Sequence, residues 1–201
     1  LVNLGNATAL SYMKSIVNGK ITDYGVDMYR QDFNMHPIYF WITGEPANRL
    51  GIQQIKHIMG LYKYLDYLKL QHPSLIIDNC ASGGRRIDIE MLKRSFTLTR
   101  TDYLWDTNGQ QSMTAGLAQW IPITGLGNDG SFSTEAVFNY INRSGWGSHI
   151  FIPVDWRGLA YNNTEWNFIS ANMTYLNDNK QLFRGDFYLL TPYSTANNVW
   201  M

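Results

Sequence analysis

Two aspartates, each with an arginine two positions upstream, are the residues of this chain best suited to bond-breaking chemistry. Arg30 precedes Asp32, and Arg100 precedes Asp102. Because side chains alternate across a strand, each arginine shares a face with its aspartate wherever the segment is extended. A single aspartate at the end of a strand more often caps a helix or sits on the surface. Two such pairs on separate segments favour a site built from paired carboxylates.

Cleavage of a glycosidic bond is a reaction that requires such a pair. One carboxylate attacks the sugar or activates water, while the other carboxyl group protonates the leaving oxygen. This chemistry needs neither a metal nor a cofactor, and the sequence predicts none. The chain carries sixteen basic and sixteen acidic residues, so its charge predicts neither nucleic acid nor a membrane as partner. A neutral oligosaccharide substrate fits better.

Other chemistries find weaker support in the sequence. The glycine turn at 79–84 lacks the GxxxxGK[ST] pattern of a phosphate-binding loop, and GLGNDG at 125–130 matches GxGxxG without following a clean strand. The four histidines show no paired ligand spacing, and a lone cysteine, Cys80, assembles no zinc site. We interpret His57 as a packing or surface residue. Cys80 fits equally a small buried residue or the wall of a substrate pocket.

The segments around these residues alternate between strand and helix patterns, with no linker or internal repeat. Apolar residues at helical spacing predict long helices at 6–22 and 52–70, separated by a loop at 36–49. Shorter or weaker patterns predict strands at 26–34, 74–78, 96–103, 148–154 and 186–190, and helices near 87–93, through 117, from 134 and at 165–182.

This alternation predicts parallel βαβ units, and therefore either a doubly wound sheet or a (β/α) barrel. We expect one folded unit over 1–201. A complete barrel needs about 250 residues, so the chain would hold only some of its eight units. Polar residues follow the predicted strands at Asp32 and Asn34, at Asp78 and Asn79, and at Asp102. In barrels, active sites lie at that edge.

Several blocks of the sequence strongly resemble glycoside hydrolase family 36, the melibiase or α-galactosidase family. The blocks are YRQDFN, FWITGEPANRLGI, IIDNCASGGRRIDIEMLKRS and TRTDY. Flanking segments such as GLAQWIPITG and NKQLFRGDFYLLTP are similar to the family as well, so the resemblance covers nearly the whole chain. It implies a TIM-type (β/α)8 barrel, present in part from about the fourth to the eighth strand unit.

The resemblance also implies roles for individual residues. Asp32 falls at the family's nucleophile, after the fourth strand, and Asp102 at its acid/base, after the sixth. The substrate-binding positions that it implies are Arg30, Asn34, Cys80, Gly83 and Arg100. Arg30 departs from the lysine of many members, although a planar guanidinium also suits a pair of sugar hydroxyls.

The activity implied is retaining hydrolysis of terminal α-galactosides of the melibiose and raffinose type by double displacement. Two alternatives stay open: galactosyl transfer with the same two aspartates, and carbohydrate binding without catalysis. The resemblance further implies an N-terminal β-sandwich, early barrel strands and a C-terminal β-domain outside these residues, and it makes a homo-oligomer an expectation. The compartment stays open between the cytoplasm and a periplasmic or secreted location in bacteria.

Overall fold

The computed structural model of the protein describes residues 2–96 continuously and short pieces of the remainder. The later described positions are 116–117, 119–120, 126–127, 150–151, 166–167, 170–171, 174, 177–182, 186, 188–190 and 192. The chain divides into two compact units, Leu1–Phe96 and Thr97–Met201. None of the helices described in either unit is long and apolar enough to cross a membrane.

Helices and strands alternate in the first unit, as the sequence predicts. The elements are α1 (Ala7–Tyr24), β1 (Met28–Asp32), α2 (Ile38–Thr43), α3 (Ile52–Gln71), β2 (Ile76–Cys80) and α4 (Ile89–Leu92). The predicted loop at 36–49 is therefore partly wrong, because it contains α2. Six residues are too few to show a helical period, and Pro37, at the N-cap, is a residue that also marks turns.

The two strands form a parallel pair whose register brings polar residues face to face. Arg30 lies opposite Asp78, and Asp32 lies opposite Cys80. Phe96 extends the sheet beyond β2: its amide donates to the carbonyl of Ile77, and its own carbonyl accepts from Asn79 at 2.7 Å. The predicted strand at 96–103 thus begins in a parallel pairing, and its other residues lie outside the described part of the chain.

The core of the first unit lies between the sheet and the two long helices. Its buried members are Leu4, Ile21, Leu61, Tyr64, Leu65, Leu68, Leu75, Ile77 and Met91. α1 begins at an Asn6 side chain that accepts from the amide of Ala9, and it ends at Gly25, whose φ of 61° is left-handed. These caps fix where α1 stops and where the chain turns into β1.

The start of α3 is held by a carboxylate from the preceding loop. Glu45 accepts from the backbone amides of Gly51, at 2.7 Å, and Gln53, at 3.1 Å. The first amides of a helix have no partner within it and carry a partial positive charge, so a carboxylate is a favourable partner there. The Gln53 side chain returns a hydrogen bond to the carbonyl of Gly44. These bonds tie the loop between α2 and α3 to the long helix.

In the second unit, the described residues include two short strands. β3 (Leu126–Gly127) pairs in parallel with β4 (Ile150–Phe151). β4 lies within the strand predicted at 148–154, whereas β3 falls in a segment for which the sequence predicts no strand. Described positions between 166 and 179 are helical, in agreement with the predicted helix. Residues 186 and 188–190 form no strand, so that prediction is wrong: no pairing partner is present among the described residues.

Candidate active site

The carboxyl ends of β1 and β2 bring the predicted nucleophile together with a cation. Arg30 and Asp32 are two residues apart on β1 and therefore point to the same side of the sheet. Nη2 of Arg30 lies 3.6 Å from Oδ2 of Asp32, with 40% and 39% of the two side chains exposed. A solvent-accessible carboxylate beside a positive charge is placed where it can meet a substrate.

Arg30 is anchored from the neighbouring strand by a second carboxylate. Asp78, opposite it in the register, is completely buried and accepts a hydrogen bond from Nη1 of Arg30. Burial works against the charge of the guanidinium, but the hydrogen bond and negative charge of Asp78 outweigh it and raise the pKa of Arg30. The guanidinium thus bridges one buried and one exposed carboxylate.

Cys80 lies against the nucleophile position from β2. It is the register partner of Asp32, and its side chain is buried. Burial raises the pKa of Cys80, and Asp32 adds to this, while a backbone hydrogen bond with Gly83 and the charge of Arg30 oppose it. Cys80 is therefore a neutral, buried thiol that also borders the candidate site.

The glycine turn after β2 is held in place by Asn34. Oδ1 of Asn34 accepts from the Ser82 amide at 2.8 Å and from the Ser82 hydroxyl at 3.2 Å. Both Ser82, with φ of 45°, and Gly83, with φ of 76°, are left-handed. Such a conformation costs a non-glycine residue about 1–3 kcal/mol, so it persists where other contacts enforce it. Asn34 supplies those contacts and couples the loop after β1 to the turn after β2.

Next to the end of β1 lies a layer of aromatic and basic side chains. The guanidinium of Arg86 covers the ring of Phe33 at 4.5 Å, and its buried Nη1 has no hydrogen-bond partner among the described residues. His57 is buried against the rings of Phe33 and Trp41, and burial together with the charge of Arg86 lowers its pKa. The interpretation of His57 as a packing residue is confirmed. A cavity of about 320 Å³ adjoins this layer.

Five of the seven residues predicted for the site fall within residues 2–96, and the structure gathers all five at one edge of the sheet. They are Arg30, Asp32, Asn34, Cys80 and Gly83. Asp102 and Arg100 lie outside the described residues. Sequence reasoning missed Ser82, and it noted Asp78 only as a polar residue at a strand end. Within the part of the chain that the structure describes, no group of three His, Cys, Asp or Glu side chains is arranged to hold a metal ion.

The segment that contains this site matches a known family model. The model described as Melibiase matches residues 1–135, which include β1, β2 and the glycine turn. The chain belongs to the melibiase family. The resemblance to glycoside hydrolase family 36 is thereby confirmed.

Individual melibiase relatives match shorter or more distant stretches. The chain is 30% identical to "Alpha-galactosidase 2" of Pediococcus pentosaceus over 92 residues, covering 46% of this chain and 13% of that protein. It is 21% identical to "Alpha-galactosidase AgaA" of Geobacillus stearothermophilus, covering 94% of this chain and 27% of that protein. The chain therefore spans about a quarter or less of the length of these relatives.

The fold agrees with that of solved members of the melibiase family. The crystal structure of the GH36 α-galactosidase AgaA from Geobacillus stearothermophilus matches with a TM-score of 0.78 at 18% identity, over 94% of this chain and 27% of that one. Variants of AgaA have been solved in complex with raffinose and with stachyose. The parallel β/α arrangement described above therefore matches part of the fold of AgaA.

Proposed function

We propose that this chain forms the catalytic part of a retaining glycoside hydrolase that cleaves terminal α-galactosides. The observation that carries the proposal is the cluster at the edge of the sheet. Asp32 is exposed beside Arg30, Cys80 lies opposite it on β2, and the turn held by Asn34 is alongside. A reactive carboxylate at the carboxyl end of a parallel strand is the arrangement expected of a barrel enzyme. Membership of the melibiase family supports the same reaction.

In the proposed mechanism, Asp32 is the nucleophile and Asp102 is the acid/base. The Asp32 carboxylate attacks the anomeric carbon, while Asp102 gives a proton to the leaving oxygen. Asp102 then removes a proton from the water that hydrolyses the galactosyl ester of Asp32, and free galactose leaves with its α configuration retained. Retention requires the two carboxyl groups to be about 5 to 5.5 Å apart, which leaves no room for a water molecule between them.

We propose that the remaining predicted residues bind the galactosyl group of the substrate. Arg30, whose side chain is two-fifths exposed at the site, is suited to a pair of hydroxyl groups. Cys80, Gly83 and Asn34 form the adjoining wall, and Arg100 is assigned to substrate binding as well. The AgaA variants solved with raffinose and stachyose support α-galactosyl oligosaccharides as the substrate class.

We further propose that the chain forms part of a TIM-type (β/α)8 barrel, from about the fourth to the eighth strand unit. β1 would be the fourth strand and β2 the fifth, and the pairing that starts at Phe96 would lead into the sixth. In this order, the strands that precede Asp32 and Asp102 in the sequence would be the fourth and the sixth. The parallel register and the similarity to AgaA support it.

The experiment that tests this function follows the first product of raffinose cleavage by the full-length protein. Proton NMR during the first minutes distinguishes α-galactose from β-galactose before mutarotation mixes them. The proposal predicts α-galactose and sucrose as the initial products. Initial β-galactose would contradict the retaining mechanism, and transfer of galactose to an added acceptor sugar in place of water would instead identify a transferase. Binding of raffinose without any cleavage would contradict both.

A further inference from the structure

We propose that Asp78 is a positioning residue for catalysis: it acts through Arg30 to hold the nucleophile side of the site in its reactive geometry. This inference rests on the proposed function and adds a residue to it. Asp78 lies on β2, directly opposite Arg30 in the register, and accepts the hydrogen bond of Arg30 Nη1. The other terminal nitrogen of the same guanidinium faces Asp32.

The two carboxylates that Arg30 bridges differ in burial, and the buried one is suited to hold the arginine in place. The side chain of Asp78 is 0% exposed, whereas Arg30 and Asp32 are each about two-fifths exposed. A long arginine side chain that reaches an open site loses substantial rotamer entropy when it is fixed in one conformation. The buried, charged hydrogen bond to Asp78 compensates for that loss and holds the planar guanidinium in one orientation.

Asp78 itself cannot be the reacting carboxylate. It has no exposed surface, so a sugar cannot reach it, and its charge is already matched by Arg30. A buried carboxylate that loses its charged partner is costly. Asp78 and Arg30 therefore form one unit, in which the buried partner fixes the orientation and the exposed partner meets Asp32 and the substrate.

A double-mutant cycle on the full-length protein tests whether Asp78 acts through Arg30. With a 4-nitrophenyl α-galactoside as substrate, we expect Asp78→Asn to lower kcat/KM about hundredfold, the scale of a displacement of about 1 Å in a catalytic site. KM should rise, because Arg30 no longer presents its guanidinium to the sugar. A variant that only lost folded protein would show a lower kcat with KM unchanged.

The decisive comparison is made in the absence of Arg30. In an Arg30→Gln background, adding Asp78→Asn should change kcat/KM by no more than about twofold, because the residue through which Asp78 acts has been removed. Multiplication of the two single effects would overturn the proposal, since that is the behaviour of independent residues. If Asp78→Asn does not fold, Asp78→Glu retains the carboxylate but moves it by one methylene, and the same cycle applies.

A matched control separates this unit from arginine–aspartate pairs in general. Asp66 accepts two hydrogen bonds from Arg94, at 2.7 and 3.1 Å, on the surface of α3. Asp66→Asn should leave kcat and KM unchanged. An Asp66→Asn effect equal to that of Asp78→Asn would also overturn the proposal. A wild-type protein without activity on α-galactosides would instead count against the proposed function, so the two failures are distinguishable.

Discussion

At the residue scale, two hydrogen-bonding side chains organise the site from adjacent loops and strands. Asn34 fixes the turn that contains Ser82 and Gly83, and Asp78 fixes Arg30. Neither side chain performs the bond-breaking step in the proposed mechanism. Both hold groups that border Asp32, which is where small displacements have large kinetic consequences. The candidate site thus depends on polar contacts between the two parallel strand ends.

The left-handed Gly83 gives a prediction that separates stability from function. Gly83→Ala should destabilise the fold by about 1–2 kcal/mol, because an alanine in this conformation brings its Cβ too close to the following carbonyl oxygen. It should also raise KM, since the turn that borders Cys80 and carries the Asn34 contacts must shift. Chemical denaturation and Michaelis kinetics on the full-length protein measure the two effects.

Gly25 provides the matched control for Gly83. Its φ of 61° is also left-handed, but it lies at the end of α1, where a Cβ would meet nothing within 4 Å. Gly25→Ala should therefore lose a similar amount of stability, about 1–2 kcal/mol, through the same steric contact, while KM remains that of the wild type. An unchanged KM in Gly83→Ala would contradict the assignment of this turn to the substrate wall.

At the element scale, α3 is positioned at both its start and its middle by contacts from outside the helix. Glu45 caps its first amides, and Gly60 allows the backbone at Leu4 to cross close to it. α3 in turn contributes Leu61, Tyr64, Leu65 and Leu68 to the core beneath the two strands. The long helix is therefore the support on which the strand ends are held.

Because the backbone of Leu4 passes close to Gly60, replacing Gly60 with alanine should lower the stability of the protein strongly. A Cβ at this position would lie 2.0 Å from the carbonyl oxygen of Leu4, a contact that backbone atoms must move apart to relieve. Gly60→Ala should destabilise the protein by about 3 kcal/mol, at the upper end of the usual cost of overpacking. Thermal and urea unfolding of the full-length protein measure this loss.

Gly19, within α1, is the corresponding control. A Cβ at this position would have no neighbour within 4 Å. Gly19→Ala should stabilise the protein by about 0.5–1 kcal/mol, because alanine loses less backbone entropy in a helix. A Gly60→Ala protein as stable as the wild type would contradict the close approach of the Leu4 segment to α3.

The elements themselves illustrate which features a sequence reveals. The long helix predicted at 52–70 is confirmed as Ile52–Gln71, because twenty residues display the helical period several times. α2 was not predicted, since its six residues are shorter than two turns. The cap by Glu45 was missed as well: it lies six residues before Gly51, outside the local pattern by which helix caps are recognised.

In the candidate site as well, the contacts that could be predicted are those between residues close together in the sequence. Arg30 and Asp32 were paired correctly from the alternation of side chains along a single strand. The partnership of Arg30 with Asp78 depends on the register between two strands that are 48 residues apart in sequence, and no spacing rule encodes that register. Contacts within one element were therefore predictable, whereas contacts across elements required the structure.

At the scale of the whole molecule, the chain corresponds to a fraction of the length of its melibiase relatives. It matches the melibiase model over residues 1–135 and spans 27% of the length of AgaA. The first unit supplies the proposed nucleophile, while the proposed acid/base lies at Asp102. We propose that Asp32 acts as the nucleophile of an α-galactosidase in the full-length protein.

The most direct test of this claim is the release of 4-nitrophenol from its α-galactoside by the full-length protein and by Asp32→Asn. Asp27→Asn is the control, because Asp27 is an exposed residue directly before β1, at the opposite end from Asp32. We predict turnover by the wild type and by Asp27→Asn, and none by Asp32→Asn, because an amide cannot form the galactosyl ester. Appreciable turnover by Asp32→Asn would contradict the account.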